Sequence, residues 1–139
     1  MYKSINLQFL ISYIGFLPYL FIIIDKFFLQ QINIKILESF SVYYSIIILV
    51  FIGATNWDLK DKVSKKKVLY GFLPSFFSVF IIIIYLYNFN VFIFLISYLF
   101  LQLFLDYFII YKKGNPKKAY YFVRLPLTTL IVLSLIIIQ

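Results

Sequence analysis

Residues 68–87 read VLYGFLPSFFSVFIIIIYLY, a stretch of 20 residues that contains no charged side chain. A helix of about 20 residues is long enough to cross the hydrocarbon core of a bilayer, which is about 30 Å thick. Backbone N–H and C=O groups must be paired inside that core, so a spanning segment is a helix or a strand of a closed barrel. A barrel strand alternates polar and apolar side chains, whereas this stretch contains the run Ile81–Ile84. The stretch therefore predicts a transmembrane helix.

Stretches of similar length and composition lie on both sides of it. The chain is 64% apolar, its mean hydropathy is +1.00, and the connections between the apolar stretches are about ten residues at most, too short to bury a core of their own. We therefore predict an all-α fold in which residues 1–139 form a single domain, an integral membrane bundle of five transmembrane helices. The predicted spans are about Ile5–Ile24, Ile36–Trp57, Val68–Tyr87, Phe89–Tyr111 and Tyr120–Ile138.

Positive charge is concentrated in the connections that follow alternate spans, and the formal net charge is +8. If the spans alternate in direction, only Lys26 and Lys35 lie on the opposite side from the other cations. This bias predicts that the N-terminus is inside and Gln139 outside. The basic connections are expected to attract anionic membrane lipids, and a nucleic-acid partner is not expected. The cations predicted to lie inside are Lys3, Lys60, Lys62, Lys65, Lys66, Lys67, Lys112, Lys113, Lys117, Lys118 and Arg124.

The composition restricts the chemistry. The sequence has no cysteine and no histidine, which excludes disulfides, thiolate catalysis, iron–sulfur ligation and a Ser-His or Cys-His nucleophile pair. Its five carboxylates do not occur at metal-ligand spacing. We therefore predict that the protein is not an enzyme and has no catalytic, cofactor-binding or metal residues.

A short motif occurs twice. Residues 15–18 and residues 71–74 both read GFLP, at an offset of 56. Each motif is followed by a span that ends in an aspartate and a lysine cluster, which fits a parallel duplication of a helical hairpin. Repeated halves with matching glycine and proline positions occur in transporters. Chance similarity in a sequence of such restricted composition is the alternative.

Polar and helix-breaking residues concentrate in those halves of the spans that border the basic connections. Antiparallel spans would bring these halves to a similar depth in the bilayer, which predicts a cluster with a structural or ligand-binding role. Its candidate members are Gly53, Trp57, Pro74, Gln102, Asp106, Arg124 and Thr128.

Within this cluster, Asp106 lies near the end of the fourth span and Arg124 near the start of the fifth. A lone charge in the hydrocarbon core costs about 2.5–3.5 kcal/mol on insertion scales, so pairing of the two is expected. The pair could be an inter-helix clamp or part of a substrate or proton site. Gly53 predicts close approach of two helices, and Trp57 is typical of an interfacial aromatic belt.

The ordered pattern over nearly the whole chain resembles the transmembrane protein 69 family, a domain of unknown function found in proteobacteria and mitochondria. The residues that carry the resemblance are Gly15-x-x-Pro18, Tyr44, Phe51-Ile52-Gly53 with Trp57, Leu73-Pro74-Ser75, Gln102-x-x-x-Asp106 and Arg124-Leu125-Pro126-Leu127-Thr128. The resemblance implies five spans and an inner-membrane location, and no established activity. The family usually has His-Trp-Gly where this chain has Asn56-Trp57-Asp58, so any role of that imidazole is absent or replaced.

Two functions from different classes remain as hypotheses. The first is a non-enzymatic accessory or assembly factor of a larger membrane complex, located in the bacterial inner (cytoplasmic) membrane or, if organellar, the mitochondrial inner membrane. The second is a small carrier or a lipid- or quinone-binding protein that uses the polar cluster. An ion or proton pathway is a weaker third hypothesis, because the fourth and fifth spans offer one embedded carboxylate and no histidine.

Overall fold

A computed structural model describes the backbone of residues 2–55, 65–111 and 120–139, and the side chains of residues 7, 9–55, 65–109 and 120–139. Throughout these ranges the regular structure is helical, without a strand. The α-helices are α1 (Tyr2–Ile14), α2 (Leu17–Ile24), α3 (Ile34–Ala54), α4 (Lys65–Leu86), α5 (Phe92–Asp106) and α6 (Leu125–Ile138). Three π-helical segments adjoin them, namely π1 (Asp25–Leu29), π2 (Tyr107–Tyr111) and π3 (Tyr120–Arg124).

Within the described residues, five helical segments are long and apolar enough to cross a membrane. The all-α fold and the five spans predicted from the sequence are thereby confirmed, and the chain has the character of a multi-pass membrane protein. The inside location of the N-terminus stays a prediction. The spans are Phe9–Leu29, Ile34–Ala54, Lys65–Leu86, Phe92–Ile109 and Tyr120–Ile138.

The first span is interrupted. The helix α1 ends at Ile14, Gly15 and Phe16 form a turn, and α2 begins at Leu17. The N–H of Phe16 donates to the carbonyl of Tyr13, three residues earlier, at 3.0 Å, whereas an α-helical bond spans four residues. Pro18 has no N–H to donate. Beyond the interruption, the span continues through π1 to Leu29, past the boundary that the charges at Asp25 and Lys26 predicted.

The chain divides into two compact units. The first unit comprises Met1–Ser41 and Tyr98–Gln139, and the second comprises Val42–Ser97. That residues 1–139 form a single domain stays a prediction. Buried apolar side chains of the first unit include Tyr19, Ile22, Leu99, Leu135 and Ile138, and those of the second include Val42, Leu49, Ile81, Val91 and Leu95.

Candidate functional site

Asp106 and Arg124 form an ion pair in the first unit, as their sequence positions predict. The Nε–H of Arg124 donates to Oδ2 of Asp106. The Asp106 side chain is 3% exposed and that of Arg124 is 15% exposed, so the carboxylate is the desolvated partner. Removing one member of a buried pair leaves an uncompensated charge and costs about 3–5 kcal/mol. The pair therefore joins the end of α5 to the segment that leads into α6.

Both residues lie where an α-helix meets a π-helical turn. The segment π2 begins directly after Asp106, and π3 ends at Arg124. The wider i→i+5 turn is rare and is found frequently at functional sites. Asp25 and Lys26 are the first two residues of the remaining π-helical segment, π1. Each of the three π-helical segments in the described residues thus begins or ends at, or directly beside, a charged side chain.

Tyr120 links the same two spans a second time. Its buried side chain donates from the hydroxyl to the carbonyl of Leu103 at 3.2 Å, and its ring lies 5.4 Å from that of Tyr107 between centroids. Tyr120 was not among the residues predicted from the sequence. The signal that could have identified it is its position one turn before Arg124, at the start of the span.

A further bond ties the first span to π3. Pro126 has no N–H, so the carbonyl of Phe122 lacks the donor that a regular α-helix would supply. The hydroxyl of Tyr13 donates to this carbonyl at 2.5 Å. The proline pattern was visible in the sequence, but the tyrosine that compensates it, at a separation of 109 residues, was not.

The remaining candidates of the first unit, Thr128 and Gln102, are both buried. The hydroxyl of Thr128 donates to the carbonyl of Arg124, four residues earlier, at 2.8 Å. The hydroxyl hydrogen is therefore used in this local bond and is not donated to the Asp106 carboxylate. Gln102 lies one helical turn before Asp106. Thr128 therefore contributes to the local helix geometry that follows Arg124.

The opposite end of the fifth span is also held by a charged residue. The ammonium Nζ of Lys26 donates to the carbonyls of Ile137 at 3.0 Å and Ile138 at 2.7 Å. The last carbonyls of a helix have no donor within it and carry partial negative charge, so a cation is favoured there. The sequence predicted of Lys26 only that it lies on the opposite side of the membrane from most other cations. Its role as a cap on α6 was missed.

Asp25, next to this lysine, is 1% exposed. Its Oδ2 accepts a hydrogen bond from the N–H of Ile32 at 3.1 Å, which stabilises the connection between π1 and α3. This bond gives the desolvated carboxylate a donor. The charged residues at both ends of α6 therefore act by joining segments of the same chain.

In the second unit, Gly53 and Pro74 lie together. A Cβ added at Gly53 would lie 2.7 Å from the carbonyl oxygen of Gly71 and 2.8 Å from Cγ of Pro74. Only a residue without a side chain fits at that distance, as the sequence predicted for Gly53. Pro74 itself is buried inside a continuous helix, and its carbonyl accepts a bond from the hydroxyl of Ser78 at 2.7 Å.

The structure thus brings together Asp106 and Arg124 in the first unit, and Gly53 and Pro74 in the second. Trp57 lies outside the described residues. That all the candidates form one cluster stays a prediction.

An apolar groove of about 360 Å³ lies on the second unit. It begins beside Phe76, near the middle of α4, and extends to Phe94 in the first turn of α5. Phe72, Phe76 and Phe80 form a ladder of exposed rings along α4, with centroids 6.0 and 5.0 Å apart. None of the residues that line this groove belongs to the candidate cluster predicted from the sequence. The residues that line the groove are Phe76, Phe77, Phe80, Ile81, Ile84, Val91 and Phe94.

One family model matches the chain, described as "Protein of unknown function (DUF3429)", and it covers residues 6–139. No curated protein and no solved structure matches. The family match extends over all five spans, and it includes the Asp106–Arg124 pair and Lys26. The chain therefore belongs to the DUF3429 family of proteins of unknown function.

Proposed function

We propose that this protein is a non-enzymatic accessory or assembly factor of a larger membrane complex. The observation that carries the proposal is that charged groups at both ends of α6 bind other segments of the same chain. Arg124 binds Asp106 at one end, and Lys26 binds the carbonyls of Ile137 and Ile138 at the other. These groups stabilise the arrangement of the spans, which is what a protein acting through helix packing needs.

The composition supports the same class of function. With neither histidine nor cysteine in the chain, the common nucleophile–base pairs cannot be assembled. We also propose the finer assignments that the sequence suggests, namely the transmembrane protein 69-like family and an inner-membrane location, bacterial or mitochondrial. The N-terminus and the lysine-rich connections are proposed to be inside, and the charge bias supports this.

The exposed rings of α4 are the surface on which we expect a partner helix to dock. Helices associate in lipid chiefly through close van der Waals contact, and the groove beside Phe76 and Phe80 offers a recess for a partner side chain. Aromatic residues are also enriched in protein interfaces. The groove lining is apolar throughout, so the expected partner surface is an apolar transmembrane helix.

Co-purification at endogenous expression level, with mass spectrometry of proteins and lipids, tests the proposal. A stoichiometric protein partner supports the assembly role. A retained small molecule without a protein partner would instead support the alternative, a carrier or a lipid- or quinone-binding protein.

A pair of matched variants tests the docking surface. Phe76→Ala combined with Phe80→Ala removes two exposed rings beside the groove, whereas Phe100→Ala combined with Phe104→Ala removes two exposed rings from α5. We expect the first pair to reduce the yield of the partner severalfold and the second to leave it unchanged. Equal yields from both would contradict this surface.

A further inference from the structure

Arg124 uses only part of its hydrogen-bonding capacity on Asp106. A guanidinium carries five N–H donors in a planar fork. The Nε–H is bonded to Asp106, and among the residues that the structure describes the two Nη groups have no acceptor. The Arg124 side chain is also the more exposed of the pair. Four charged N–H donors are therefore available to a further acceptor.

The depth of Arg124 indicates what that acceptor is. Arg124 is four residues after the start of the span Tyr120–Ile138, which places its Cα about one helical turn, about 5 Å, inside the span. A long arginine side chain reaches from this depth to the headgroup layer. Tyr121, half-exposed and three residues earlier, is typical of that interface. Lipid phosphates lie at this level.

Local charge favours an anion at this position. Asp106 neutralises one positive charge, that of Arg124 itself. The sequence between Tyr111 and Tyr120 adds four lysines and no acidic residue, which raises the local concentration of anions. Planar guanidinium groups bind phosphate oxygens through paired N–H donors, with bonds stronger than those between neutral groups.

The geometry points to a phosphate-binding site at Arg124, in which Nε holds Asp106 and the Nη edge holds a phosphate group. The phosphate belongs to an anionic phospholipid or to a soluble phosphate ester. Asp106 acts as the positioning residue, because its buried carboxylate holds the guanidinium plane in place. This site goes beyond the assembly role and does not depend on it.

Retention of phosphatidylglycerol in native mass spectra tests the site, with diacylglycerol as the matched lipid that lacks phosphate. We expect Arg124→Gln to reduce retention of phosphatidylglycerol about tenfold, the effect of losing a charge-assisted contact, and to leave diacylglycerol unchanged. Lys66→Gln removes an exposed cation from the start of α4 and should retain the lipid as the parent protein does. Equal retention by Arg124→Gln and the parent, or an equal loss in Lys66→Gln, would overturn the site.

Arg124→Gln leaves Asp106 unpaired, so two further variants keep the test decisive if that protein does not fold. Asp106→Asn retains Arg124 and keeps an amide oxygen that can accept its Nε–H, so its retention of phosphatidylglycerol is the reference for the double variant. Adding Arg124→Gln to it replaces the ion pair by two neutral amides, and retention should fall about tenfold. Parent-like retention by this double variant also overturns the site.

Competition with inorganic phosphate identifies the source of the ligand. Displacement of phosphatidylglycerol from the parent protein assigns the site to phosphate as such, whether lipid-borne or soluble. Retention despite the competitor assigns it to the phospholipid, whose chains then add to the affinity.

Discussion

The tetrapeptide Gly-Phe-Leu-Pro occurs at residues 15–18 and at residues 71–74, and its two copies have different structures. In the first copy, Gly15 and Phe16 form the turn between α1 and α2. In the second, all four residues lie inside the continuous helix α4. Proline removes the same backbone donor from both. The local sequence therefore permits a break in the helix without dictating one.

The surroundings of the two copies differ. Gly71 and Pro74 are buried, and Gly53 of α3 lies against both. Gly15 and Pro18 are only partly buried. Close packing by a second helix can hold a proline-containing helix straight, since tertiary contacts compensate the missing bond. The neighbouring helix therefore decides which copy breaks, and variants at either copy can test this.

The largest expected effect comes from filling the contact beside the second copy. Gly53→Val places a side chain where a Cβ alone meets Gly71 O at 2.7 Å, and overpacking of this kind costs about 1–3 kcal/mol. We expect a loss near 3 kcal/mol in the free energy of unfolding, measured by denaturant titration in lipid discs. Ala54→Val adds apolar volume at the adjacent, exposed position and should change stability little. Similar losses in both variants would show that Gly53 is not a close contact.

Restoring the donor in the first copy should make it resemble the second. In Pro18→Ala, the new N–H can bond to the carbonyl of Ile14 and extend the helix through Gly15 and Phe16. One added hydrogen bond should slow amide exchange in this segment on the order of tenfold. Pro74→Ala is the control, because α4 is already continuous and exchange around Gly71 should not slow. Unchanged exchange at Gly15 and Phe16 in Pro18→Ala would mean that packing, and not the missing donor, makes the turn.

A smaller effect is expected from the bond that anchors the helix before the first copy. Tyr13→Phe removes the hydroxyl that donates to the carbonyl of Phe122, and a polar bond between membrane helices contributes about 0.6 kcal/mol on average. We expect a loss of about that size in the same titration. Tyr87→Phe removes a hydroxyl from a ring that is largely exposed and should cost less. If Tyr87→Phe cost as much, the bond to Phe122 would contribute nothing specific.

The smallest effect is expected within the second copy's own helix. The hydroxyl of Ser78 donates to the carbonyl of Pro74, four residues earlier. Such a bond lies within one helix and can even bend it, so Ser78→Ala should change the free energy of unfolding by about 0.5 kcal/mol or less. A loss as large as that of Gly53→Val would show that Ser78 also holds the neighbouring helix.

Features set by length, apolarity and charge were predictable from the sequence. The five spans follow from apolar stretches of bilayer length, and the Asp106–Arg124 contact follows from two charges at matched depth on spans joined by a short connection. Close approach at Gly53 also follows, since glycine alone tolerates it. In each case the residue type or its spacing carries the information.

Contacts with backbone carbonyls were not predictable. Lys26 and Tyr13 bind carbonyls of the fifth span, and every residue has a carbonyl, so no residue pattern indicates which one is the acceptor. The break at Gly15 was equally hidden, because the same four residues stay helical at Gly71. These features depend on packing across large sequence separations.

The bonds from the first span to the fifth also impose an order in time. They join residues 109, 111 and 112 positions apart, so they cannot form during synthesis until the fifth span has been made. The second unit is one continuous segment, Val42–Ser97, and its contact at Gly53 can form earlier, because nearby contacts close faster than distant ones. The first span must therefore stay in the membrane with the Lys26 ammonium away from its final acceptors while three further spans are inserted. Capture of Lys26 by the end of α6 can therefore occur only after the fifth span has been made.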